Sequence, residues 1–72
     1  MSMDTIVGTL TRADGLERVF IVKRADTLTT YRRQGIDRAS GQWSEPGPDC
    51  GLYGSIETAE AEARAKVWWL AT

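Results

Sequence analysis

The chain has 72 residues, 42% of them hydrophobic and 26% charged, with a formal net charge of −1. A chain of this length holds one domain and buries only about 60% of the surface it exposes when unfolded, so its stability must come from close packing or from a partner. One cysteine, Cys50, and no histidine exclude an intrachain disulfide and a zinc site, and they remove the side chain that most often moves protons near neutral pH.

No positively charged start leads into an apolar run, and the longest aliphatic and aromatic block in the first half is VFIV. Neither a signal peptide nor a membrane span is expected, and the lone thiol suits a reducing cytoplasm. The near-zero charge hides an asymmetry. Residues 12 to 38 carry seven basic and four acidic side chains, and residues 45 to 72 carry two basic and five acidic ones. Such halves can attract each other within one chain or between two copies.

The first half is rich in Thr, Val, Ile, Phe and Tyr, the residues that suit a pleated and half-buried surface. Asp14-Gly15 lies between TIVGTLT and RVFIVKR, and this dipeptide predicts a hairpin because both residues tolerate positive φ. Strands are expected near 5–11 and 17–24. A polar break at Ala25-Asp26-Thr27 precedes a third strand near 28–36. In the second strand Val19 and Ile21 point to one face while Phe20 and Val22 point to the other, so one helix cannot cover all the apolar groups.

Residues 37–54 form a Pro- and Gly-rich loop in which Trp43 is the natural anchor, with a short fourth strand around Gln42 to Ser44 as an option. Ser55 is the expected N-cap of a helix over 56–69, with Glu57 at the positive end of the helix dipole. Glu60 with Arg64 and Glu62 with Lys66 have the favourable i, i+4 order, together worth about 0.5–1 kcal/mol. Ile56, Ala59, Ala63, Val67 and Leu70 form the stripe that should meet the sheet.

Trp68 and Trp69 are then about 100° apart around a continuous helix and cannot both face the sheet. Both would flank the small residues Ala61 and Ala65 on the outer side, where another helix or sheet could pack. Alternatively the helix ends near Val67 and one or both indoles fold back over the core of the same chain.

The segment YRRQGIDRASGQWSEPGPDCGLYGSIETAEAEARAKVWWL resembles small uncharacterised bacterial proteins in which a β-meander ends in a tyrosine-containing strand. In these a tryptophan-bearing loop follows, and a G-x-Y-x-S lead opens an Ala/Glu helix that closes on Trp-Leu. The likeness covers residues 18 to 70. It implies the meander-plus-helix fold and brings with it no activity, cofactor or catalytic residue.

Glu57, Glu60 and Glu62 are spaced as solvated helix charges, and Cys50 beside Asp49 has no electropositive setting to activate it. GPDCGLYG matches neither the Walker spacing nor a dinucleotide fingerprint. The chain is therefore expected to be no enzyme and to need no cofactor or metal. The expected fold is α+β, a three- or four-stranded antiparallel meander with one C-terminal helix on one face and the other face open to a partner. A small interaction or accessory module that forms a homodimer follows from this, with Phe20, Val22, Ala61, Ala65, Trp68 and Trp69 at the interface. The alternative is single-stranded nucleic acid or another polyanion, held by Lys23, Arg24, Arg32 and Arg33 with Tyr31 for stacking. A sequence pI near 5.2 weighs against it.

Overall fold

The computed structural model describes residues 4–70. Strands β1 (Thr5–Thr11), β2 (Glu17–Lys23), β3 (Thr29–Asp37) and β4 (Gln42–Trp43) form one antiparallel sheet in the order β1-β2-β3-β4, and α1 (Ile56–Lys66) follows. This is the α+β meander with a helix that the residue pattern predicts. Among the described residues no helix is long and apolar enough to cross a membrane.

The alternation of β2 decides how the two faces are filled. Val19 and Ile21 pair across the sheet with Arg33 and Tyr31 and pack with Ala59, Ala63 and Val67 of the helical segment. Leu10, Cys50, Tyr53, Trp69 and Leu70 close the margin of this core. Alanines on the inner stripe let α1 approach the sheet closely, since their side chains are short and lose no rotamer freedom on burial.

Helix α1 begins as its sequence predicts, with the Ser55 hydroxyl accepting the Thr58 amide at 3.2 Å. Both expected ion pairs are present, at 3.1 Å for Arg64 with Glu60 and 3.4 Å for Lys66 with Glu62. Its end differs from the expected 69. Val67 is extended, with its N–H capping the Ala63 carbonyl, and the chain turns so that the Leu70 N–H reaches the Val67 carbonyl at 2.9 Å. Breaking the helix here lets Val67, Trp69 and Leu70 all reach the core, which a continuous helix would forbid. At the other end Ile56, expected on the inner stripe, is exposed, because it stands in the first turn before α1 lies over the sheet.

The second face is not open. Phe20 and Val22 share it with Arg18, Thr30, Arg32 and Gln34, and they are only 9% and 2% exposed. Residues 47–53 run along β3 as an irregular outer ladder. Gly47, Cys50 and Tyr53 donate to the carbonyls of Arg33, Tyr31 and Thr29, and Thr29 donates back to Tyr53. The Thr30 hydroxyl donates to the Gly51 carbonyl at 2.6 Å. Glycine is required at 51, where φ is +86° and a Cβ would lie 2.6 Å from the Tyr53 hydroxyl. The face expected to await a partner is thus roofed by the chain's own loop and arginines.

Candidate interaction surface

The roof is built from guanidinium groups. Arg18 lies over the Trp43 ring at 3.9 Å and the Phe20 ring at 4.9 Å, and its Nε donates to Gln34, whose amide donates to the Ser44 carbonyl. Trp43 therefore anchors the loop as its composition predicts, stacked under an arginine. Further along, Asp49 accepts from Arg32 at 2.6 Å and from Arg24 at 2.8 Å, and Asp4 also accepts from Arg32. Hydrogen bonds from Arg32 to Asp49 and then Asp4 push the guanidinium pKa up further, outweighing the opposing effect of burial. Among the described residues, Asp49 carries the expected attraction of the acidic half for the basic half across this face. Glu60 and Glu62 spend their charge within the helix.

These contacts dissolve the basic and aromatic cluster expected for a polyanion. Arg24 is held by Asp26 and Asp49, and Arg32 by Asp49 and Asp4. Arg33 lies on the opposite face from Arg32, paired with Glu17. Tyr31, expected to stack on a base, is buried under α1 and stacked against Tyr53 with centroids 6.4 Å apart. Lys23 is exposed at the end of β2. The sequence clusters these residues, but alternation along β3 sends them to two faces.

The six expected interface residues divide evenly. Phe20, Val22 and Trp69 belong to the chain's own interior or its margin. Ala61, Ala65 and Trp68 are exposed, so the outer side of α1 remains available. Trp68 is 63% exposed and carries the Arg12 guanidinium 5.0 Å from its ring centroid. The Trp69 indole N–H is buried without an acceptor at hydrogen-bonding geometry. It lies toward Glu17. Burial pushes the Glu17 carboxyl up, but Arg33, donating at 2.6 Å and 2.9 Å, and more weakly Trp69 and Arg12, hold it below its ordinary 4.5.

Other exposed apolar side chains are ones the sequence did not single out. Ile6 is 56% and Leu52 51% exposed, and Val7 is also exposed. The adjacency of Ile6 and Val7 is the signal that could have found them. Ile6 lies on the face of Val22, away from α1, and Val7 stands outside the regular alternation. Among the described residues β1 has β2 on one side and no strand on the other. Its register shifts between Ile6 and Gly8, so that Val7 is an extra, bulged residue.

Cys50 is half-buried at the core margin, its thiol 3.6 Å from the Pro48 carbonyl. Among the described residues no group of three or more His, Cys, Asp or Glu could hold a metal ion. Comparison with protein-family models, with curated proteins and with solved structures finds no match to this chain. The resemblance drawn above therefore rests on its own residues.

Proposed function

We propose that the chain is a small interaction or accessory module that works by binding, associates with a second copy of itself, and carries no catalytic centre. The observation supporting this is the amount of apolar surface left outside once the chain has filled both sheet faces. Trp68, Ile6 and Leu52 are each more than half exposed. Covering an indole removes about 150–250 Å² from water, worth several kcal/mol at about 25 cal/mol per Å². A reducing cytoplasm remains the compartment that suits its single thiol.

Polyanion binding stands second, because the arginines it needs already face carboxylates and the tyrosine is under the helix. Sedimentation equilibrium from low to high micromolar concentration tests the reading, with self-association expected. A monomer throughout that range would overturn it.

A further inference from the structure

We propose that two copies join through their β1 edges, antiparallel, with Thr9 on the two-fold axis. The inference rests on self-association and names the surface that carries it. Strand β1, TIVGTLT, contains no charged residue and no proline, two of the usual protections of an exposed edge, and its bulge at Val7 leaves the pairing from Gly8 to Thr11 regular. The Arg12 amide donates to the Glu17 carbonyl, so alternation along an antiparallel pair turns the backbone groups of Leu10 toward β2 and those of Thr9 and Thr11 outward. Thr9 is exposed. An outward N–H and C=O at Thr9 can be exchanged with the same groups of another Thr9, which makes it a centre for two-fold pairing.

The side chains fit that register. With Thr9 opposite the partner's Thr9, Leu10 stands opposite the partner's Gly8, both on the helix-bearing face. Gly8 is not demanded by its own chain. It has no positive φ, and a Cβ there would lie 3.6 Å from the Ile21 side chain, an ordinary contact distance. Across the axis the missing side chain makes room for Leu10. When the bulged Val7 is passed over, Thr11 falls opposite the partner's Ile6, and the exposed Ile6 gains a methyl neighbour on the second face. A net charge of −1 per copy offers little repulsion. The partner is thus a second copy of this chain. Pairing also consumes the long uncharged edge in each copy, and the far side of the sheet is already occupied by the ladder of residues 47–53, so assembly stops at two.

The axis makes a specific test possible, since only a residue on it meets itself. Thr9→Lys and Thr9→Glu each place like charges face to face and should weaken the dimer at least about tenfold, while a one-to-one mixture of the two variants should recover it. Sedimentation equilibrium reads association and circular dichroism checks the fold. If Thr9→Lys failed to fold, Gly8→Val would replace it, its Cβ being compatible with Ile21 but filling the space for the partner's Leu10. A dimer unaffected by these changes yet lost in Ala65→Arg overturns the β1 edge and keeps self-association. Loss in both single variants without recovery on mixing overturns the placement of Thr9, and a monomeric wild type overturns both readings.

Discussion

Two turns of the sheet are written in nearly the same letters, Arg12-Ala13-Asp14-Gly15-Leu16 and Arg24-Ala25-Asp26-Thr27-Leu28. In both, the fourth residue donates to the arginine carbonyl, at 2.8 Å and 3.1 Å. In both, the aspartate accepts the leucine amide and pairs with the arginine side chain. The fourth residue is left-handed each time, with φ of 74° at Gly15 and 71° at Thr27. A glycine takes that conformation freely, whereas a β-branched threonine is strained in it. The Arg-Ala-Asp frame, with its aspartate bound to the leucine amide, imposes the left-handed residue even on a side chain that resists it.

The two arginines then diverge. Arg12 lies on Trp68, beyond the end of α1, and Arg24 reaches Asp49 in the loop along β3. One local frame thus ties down two distant segments.

The largest change expected from disturbing this pair is at the first turn. Gly15→Thr should lower unfolding stability by about 1–2 kcal/mol, the cost of the left-handed backbone. Nothing lies within 4 Å of a Cβ at that position, so a loss in denaturant melts would be a pure backbone effect. The reciprocal Thr27→Gly should raise stability, by less than about 1 kcal/mol because glycine also gains freedom in the unfolded chain. A loss there would show that the second turn is not strained.

Smaller effects follow from the diverging arginines. Arg24→Ala should cost up to about 1 kcal/mol and speed amide exchange at Gly47 and Cys50. Arg12→Ala should leave those amides slow and change Trp68 fluorescence instead. Equal responses in the two variants would erase the distinction.

The smallest effect belongs to Glu17, which closes the first turn through its backbone and has a threonine, Thr29, as its counterpart after the second. Its folded-state carboxyl is held below its ordinary 4.5. The resulting stabilisation is therefore fully present above that value and is lost as pH falls through the folded one. Glu17→Gln should flatten the acid side of the stability profile by under about 1 kcal/mol, since Arg33 is partly solvated. Denaturant midpoints at neutral and acid pH, compared with wild type, measure it.

The hairpins were legible because their signals are local. Alternation in ERVFIVK, the Asp14-Gly15 pair and the Ser55 cap each act within a few residues. Even so, only Gly15 of that pair has positive φ, because the turn runs from Arg12 to Gly15 instead of being centred on Asp14-Gly15. The roof over Phe20 and Val22 was not legible. It depends on Asp49 meeting Arg32 from 17 residues away, and spacing along the chain does not encode that approach. The stop at Val67 was visible only as a choice, since Ala-rich sequence favours continuing the helix and the pull of Trp69 and Leu70 toward the core is tertiary. The β1 edge was not legible because TIVGTLT has the composition of any half-buried strand, and its place at the margin of the sheet is set by tertiary pairing.

Spatial order in this sheet repeats chain order, so each hairpin can close soon after its second strand is synthesised, and the mostly short-range pairings favour rapid folding. Helix α1 comes after all four strands. Until its alanines and Val67 arrive, the surface bearing Val19, Ile21 and Tyr31 has no lid. A nascent or prematurely terminated chain would present that bare sheet to the cell, an invitation to chaperones and to aggregation that vanishes when the last turn docks.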